Sequence, residues 1–165
     1  MENERKCIFA GTFDPPTLGH KATVEDCLKL FDEVVIAILV NPKKQPLFSL
    51  EARKEMLSLC FDEEAKKRIR IISFEGTVAA LLEKENTKFY VRGIRNTTDL
   101  DFENANFYAS KKLDEELVAV YLPCRQELLH VSSSMVRSSL HFSTPIDEYV
   151  TEEVKKYIER IYQRK

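Results

Sequence analysis

The stretch GTFDPPTLGH, residues 11–20, decides how the rest of the chain is read. It follows the apolar run Cys7, Ile8, Phe9 and Ala10 and precedes a segment with helical periodicity, so it reads as a strand-to-helix loop. Two of the chain's four glycines and two of its six prolines fall within it, a concentration suited to a backbone that turns tightly and lets another group come close. Gly11 opens the backbone, Thr12 offers a hydroxyl, and His20 stands where the helix is expected to begin, beside unpaired amides. These residues predict an anion cradle. The positive end of the helix favours neutral His20, which would donate a hydrogen bond to a phosphate oxygen. A tight turn carrying an exposed histidine is the other reading of the loop.

Four further apolar runs lie downstream: VVIAILV from Val34, IRIISF from Ile69, KFYVRG from Lys88 and VAVYLP from Val118. Each is short and rich in β-branched or aromatic residues, as buried strands are. Helical stretches alternate with them at His20–Leu30, at Leu50–Phe61 after a Ser49 cap, at Thr77–Lys84, and at Leu100–Leu113 after Asp99 as candidate cap. Alternation of this kind predicts a single α/β domain over residues 1–165: a doubly wound, five-stranded parallel sheet with helices on both faces. Ligands of such sheets bind beyond the carboxyl ends of the strands. After Pro145 a last helix is expected over about residues 147–162, with Val150, Val154, Tyr157, Ile158 and Ile161 as its apolar stripe, packed on the domain or on a neighbouring subunit.

Composition narrows the function. A formal charge of -2 gives no global attraction to nucleic acid, so anions must be met by locally placed Lys and Arg. No apolar run nears membrane-spanning length, and the charged start MENERK lacks the apolar segment of a secretory signal. Four cysteines without paired spacing fit a reduced, cytoplasmic chain. Three widely separated histidines, His20, His130 and His141, give no zinc spacing, and a G-x-S-x-G elbow for a serine nucleophile is missing.

Three further loops carry candidate chemistry. NPKKQPLF, after the second strand, presents Lys43 and Lys44 between prolines, either for phosphate or simply as solvated lysines. In VRGIRNTTDLDFE, Arg92 and Arg95 flank Gly93 at a strand end, where two guanidiniums repel unless an anion lies between them. Asp99, Asp101 and Glu103 follow and also suit a helix N-terminus. HVSSSMVRSSL places Ser132, Ser133 and Ser134 before a helical stretch, where hydroxyls can cap the helix and still serve a phosphate.

GTFDPPTLGH, RGIR with its trailing acids, and VSSSMVR, in this order from Lys6 to about Ser138, resemble the bacterial phosphopantetheine adenylyltransferases of the nucleotidylyltransferase superfamily. Thr17 stands at the first position of the superfamily's H-x-G-H or T-x-G-H signature, in the threonine form that is similar to this branch. The resemblance implies a Rossmann-like fold and adenylyl transfer from Mg-ATP to 4′-phosphopantetheine, giving dephospho-coenzyme A and pyrophosphate. It implies that His20 contacts the α-phosphate, that Thr12 and Lys44 orient the acceptor phosphate, and that Arg92 and Val78 bind the acceptor. ATP would be met by Thr12, Phe13, His20, Gly93, Ile94, Arg95, Glu103 and the segment Leu128, Leu129, His130, Val131, Ser132, Ser133 and Ser134, with Arg95 near the leaving pyrophosphate. Mg2+ would arrive on the nucleotide, with no protein metal ligands. A homohexamer of two trimers and feedback inhibition by coenzyme A are further implications.

Departures from the family pattern gather at the acceptor arm. Asn106 and Ser110 replace an apolar residue and an asparagine, Ser138 replaces a glutamate, Thr77 and Val78 stand where a larger apolar pair is common, and Leu128 replaces an aromatic. They leave two alternatives: transfer to another small phosphate acceptor such as nicotinate mononucleotide or glycerol phosphate, or a silent nucleotide-binding module.

Overall fold

Period-2 alternation in the strands sorts side chains onto two faces. In a computed structural model describing residues 5–162, β1 (Lys6–Gly11) sends Cys7 and Phe9 to one core cluster and Ile8 and Ala10 to the other. In β2 (Glu33–Leu39), Val34, Ile36 and Ile38 join the first cluster and Val35 and Ala37 the second. Being covered on both faces, these strands read as continuous apolar runs. The charged Met1 to Glu4 and the last three residues of the expected 1–165 domain lie outside the described residues.

β3 (Ile69–Phe74), β4 (Phe89–Ile94) and β5 (Val118–Pro123) complete the sheet, all parallel, in the order β3-β2-β1-β4-β5. The predicted α/β class and strands stand. Helices α1 (Leu18–Leu30), α2 (Leu50–Leu59), α3 (Glu63–Lys66), α6 (Ser133–Phe142) and α7 (Glu152–Ile161) supply Val24, Met56, Ala65, Val136 and Val154 to the first cluster. On the other face, α4 (Val78–Lys84) supplies Leu81 and Leu82, and α5 (Thr97–Lys111) lays Phe107 against them. Truncating a fully buried strand residue such as Ile36, 0% exposed, costs about 2–5 kcal/mol.

Several helix bounds move from their sequence expectation, each for a capping reason. α1 begins at Leu18 with Thr17 as cap, which puts His20 in the first turn, not at the start. α5 begins at Thr97 because Asn96, not Asp99, accepts the first-turn amide, with its Oδ1 on the Asp99 N–H at 2.9 Å. Ser132 alone precedes α6, while Ser133 and Ser134 belong to its first turn. α7 starts at Glu152 under a Thr151 cap, and its buried Val154 and Ile158 pack on α2 of the same chain.

β1 feeds α1 on one face and β4 feeds α5 on the other, so the crevice of the doubly wound sheet opens beyond Gly11 and Ile94.

Candidate active site

A cleft of about 350 Å³ lies at that switch point. Among the sequence-predicted residues it gathers Thr12, Phe13, His20, Arg92, Gly93, Arg95, Glu103, Val131, Ser132, Ser133 and Ser134. Segments after β1, β4 and β5 thus meet within reach of one ligand.

The first loop is shaped from within. Phe13 sits at φ 50°, in the left-handed region, and its buried ring lies edge-on to Phe9 and His20 at centroid distances of 5.5 and 4.9 Å. A Cβ at position 11 would stand 3.2 Å from the Phe13 ring, close enough that the ring would have to shift by a few tenths of an ångström. The Asp14–Pro15 peptide bond is cis.

Thr17 and His20 form a capping box: the Thr17 amide donates to His20 Nδ1 at 3.0 Å and the His20 amide donates to Thr17 Oγ1 at 3.4 Å. With Nδ1 accepting, the proton of the neutral ring sits on Nε2. Burial, and then the positive charges of Arg92 and Arg95, push the His20 pKa down to about 4. Neutrality of His20, expected from its place at the helix start, rests first on burial. It also revises the free amides: Leu18 donates to the Tyr149 carbonyl at 2.8 Å, and Gly19, in the cleft wall, is the first-turn amide without a partner among the described residues.

The two arginines are matched by carboxylates, not left facing each other. Arg92 donates to the Ala10 carbonyl and pairs with buried Glu103 at 2.7 Å. Arg95 pairs with Asp99 at 3.1 Å. The premise that their repulsion demands an anion is therefore corrected, while both still line the cleft. Ser132 caps α6 by accepting from the Met135 amide at 3.1 Å, Ser133 donates to the Pro15 carbonyl at 2.8 Å, and Ser134 accepts from Arg137 at 3.1 Å.

Other predicted residues lie outside the cleft. Lys44 is in the exposed 41–47 loop. Val78 opens α4 and packs on the second core cluster. Ile94 ends β4, and Leu128, Leu129 and His130 precede the cleft-lining part of their segment. Asn106 and Ser138 are exposed, and Ser110 is half-buried near the end of α5.

Three residues were missed. Arg137 lines the cleft and donates to the Asp14 carbonyl at 2.7 Å; its position one helical turn after Ser133 in the quoted VSSSMVR run was an available signal. Asp14 and Arg53 act across long sequence separations and carry no such local sign. Among the described residues no three His, Cys, Asp or Glu side chains are grouped to hold a metal, and none of the helices is long and apolar enough to cross a membrane.

A cleft of guanidiniums, hydroxyls and helix-start amides at the switch point of a parallel sheet suits the phosphates of a nucleotide, and the relatives of the chain make it a nucleotidyltransferase. The cytidylyltransferase-like family matches residues 8–139. The chain is 38% identical over 151 residues to the phosphopantetheine adenylyltransferase of Flavobacterium johnsoniae, covering 92% of this chain and 97% of that one. It is 38% identical over 152 residues to the phosphopantetheine adenylyltransferase of Thermotoga neapolitana, covering 90% and 91%. The chain belongs to the cytidylyltransferase-like family and, within it, to the phosphopantetheine adenylyltransferases. The fold is shared with the nicotinic acid mononucleotide adenylyltransferase of Plasmodium falciparum complexed with NaAD, at a TM-score of 0.72 and 18% identity over 96% of each chain. A putative nicotinate-nucleotide adenylyltransferase of Vibrio parahaemolyticus superposes with a TM-score of 0.70 at 22% identity, covering 96% of this chain and 93% of that one.

Proposed function

We infer that the chain transfers the adenylyl group of ATP to 4′-phosphopantetheine, giving dephospho-coenzyme A and pyrophosphate in coenzyme A biosynthesis. The observation that carries the mechanism is the neutral His20, with Nδ1 occupied by the Thr17 amide and Nε2 left to donate in a cleft rimmed by Arg92 and Arg95.

An oxygen of the acceptor phosphate attacks the α-phosphorus of ATP, the new P–O bond forms as the bond to the bridging oxygen breaks, and pyrophosphate leaves with the electron pair. No covalent enzyme intermediate is needed. The chain's task is to hold two anions in line and to stabilise charge that builds up between them. His20 Nε2 donates to the α-phosphate. Thr12 and Lys44 orient the acceptor phosphate, Lys44 reaching in from its loop. Arg92 and Val78 bind the acceptor, and Arg95 meets the departing pyrophosphate. Phe13, Gly93, Ile94, Glu103 and the segment from Leu128 to Ser134 surround the nucleotide, with the Ser133 and Ser134 amides at the start of α6 suited to its phosphates. ATP is taken as its Mg2+ complex, the ion being carried by the nucleotide's own oxygens.

The assembly we propose is a homohexamer of two trimers. The proposal rests on the resemblance to the family, and the exposed Phe102, Tyr108 and Phe142 leave apolar surface that subunit contacts could cover. Light scattering that gives a monomer at micromolar concentration would reject it. Feedback inhibition by coenzyme A, which shares the acceptor's arm, and a cytoplasmic setting, in keeping with four free thiols, complete the proposal.

The test is pyrophosphate release with Mg-ATP and phosphopantetheine, nicotinate mononucleotide, glycerol phosphate or no acceptor, with products identified by mass. Dephospho-coenzyme A formed with phosphopantetheine alone is the expected result. Turnover with another acceptor only would move the function, and silence with all four would leave a binding module.

A further inference from the structure

Two buried charges lie at the edge of the cleft without a part in the transfer. Asp14 and Arg53 are each 4% exposed, and a buried charge is costly unless its hydrogen-bonding capacity is filled. Both are met by backbone groups. Asp14 Oδ2 accepts the Leu47 amide at 2.8 Å and Oδ1 the Phe48 amide at 2.9 Å. Arg53, on α2, donates Nε to the Phe48 carbonyl at 3.1 Å and an Nη1 hydrogen to the Thr12 carbonyl at 2.9 Å.

These four bonds join two pieces of chain that the proposed reaction needs side by side: the Thr12–Asp14 segment and the end of the loop that carries Lys44. Residues 41–47 are exposed. The loop's internal hydrogen bonds close a turn on Asn41, from the Lys43 amide to Oδ1 at 2.9 Å and from the Lys44 amide to the carbonyl at 3.0 Å. Its direction is therefore set at its two ends, by the Val40 amide on the Phe74 carbonyl at 2.9 Å and by Leu47 and Phe48 on Asp14. The first end is tied to the sheet and the second to the catalytic loop. A carboxylate suits the second end because its two oxygens take two successive amides at once, which a carboxamide oxygen beside an NH2 group does not.

We propose that Asp14 and Arg53 are positioning residues for the acceptor: they lock the lysine loop to the Thr12 loop, so that Lys44 and Thr12 meet the same phosphate. The inference rests on the acceptor role of Lys44 proposed above. It predicts that Asp14 and Lys44 act as one unit, whereas ATP, whose proposed contacts do not include the lysine loop, is little affected by loss of the Asp14 bonds to Leu47 and Phe48.

Steady-state kinetics of Asp14→Asn, Lys44→Ala and the double variant, together with calorimetric binding of Mg-ATP, test this. Asp14→Asn is expected to lower kcat/KM for phosphopantetheine about 10- to 100-fold through misplacement of the lysine. Its Mg-ATP affinity should stay within about 2-fold, and adding it to Lys44→Ala should cost less than about 3-fold, since coupled residues are not additive. Full multiplication of the two losses, or an equal loss of ATP affinity, would overturn the proposal. If Lys44→Ala alone leaves acceptor use unchanged, the reading of Lys44 fails and the proposal with it. If Lys44→Ala is impaired and Asp14→Asn adds in full, only the proposal fails. Arg53→Lys, which keeps the charge but cannot bridge two carbonyls in the same way, should repeat the pattern should Asp14→Asn not fold. Faster amide exchange at Leu47 and Phe48 in either variant is also expected, and unchanged exchange in both would count against the lock.

Discussion

His20 receives the Thr17 amide on Nδ1 at 3.0 Å, which leaves Nε2 as the ring's only N–H. The same contact aims the ring and fixes its tautomer. Because the donor acts on charge that grows at the α-phosphate, His20→Ala should lower kcat about 100-fold or more, while Mg-ATP affinity changes little. Single-turnover adenylyl transfer checks this, and an unchanged rate would remove His20 from the mechanism.

The acid response of stability follows from the same residue. Its folded pKa of about 4 lies below the unfolded value of about 6.5, so between these pH values the unfolded chain binds more protons. Stability from His20 is then fully present above about pH 6.5 and is lost as pH falls toward 4. Melting temperature measured from pH 7.5 to 4 should fall less steeply in His20→Gln than in the parent chain. Identical slopes would show that the imidazole is not held neutral.

Gly93 is where β4 passes α1. A Cβ there would lie 3.1 Å from Thr23 Oγ1, and that hydroxyl is held by its bond to the Gly19 carbonyl at 3.0 Å. Gly93→Ala should therefore cost about 1–3 kcal/mol as an overpacking change. In a Thr23→Ala background, where the obstructing atoms are gone, the cost should shrink markedly. Urea denaturation of the four proteins in the cycle measures the difference, and an undiminished cost would locate the constraint elsewhere.

What the sequence makes legible is local and periodic. The runs at Cys7, Val34, Ile69, Lys88 and Val118 are strands, as their β-branched and aromatic content predicts, and the loop ending in His20, where glycine and proline are gathered, lines the cleft. Cap choice is less legible: Asn96 and Asp99 stand three residues apart, both can cap, and the structure uses one as cap and the other as partner of Arg95. Least legible are Asp14, Arg53 and Arg137, whose partners lie 33, 41 and 123 residues away. No periodicity marks a side chain whose role is to hold a distant backbone. Lys44 and Val78, placed by resemblance, lie beyond the cleft wall in this structure, so their contact with substrate depends on where the lysine loop and the start of α4 stand when the acceptor is bound.

Arg92 and Glu103 set the last expectation. Glu103 is 7% exposed and its carboxylate lies 2.7 Å from the guanidinium of Arg92, which also reaches the Ala10 carbonyl. Glu103→Gln keeps an acceptor oxygen but removes the charge that offsets Arg92, so stability should fall by about 1–3 kcal/mol. The loss should depend on ligand. An anion bound beside Arg92 supplies the missing negative charge, so phosphopantetheine should stabilise the variant more than the parent chain, by mass action on the folded state. Urea melts across a phosphopantetheine series give both quantities. Equal stabilisation of the two proteins would mean that the Arg92 charge is not directed at the ligand, and the acceptor-binding role assigned to it would have to be withdrawn.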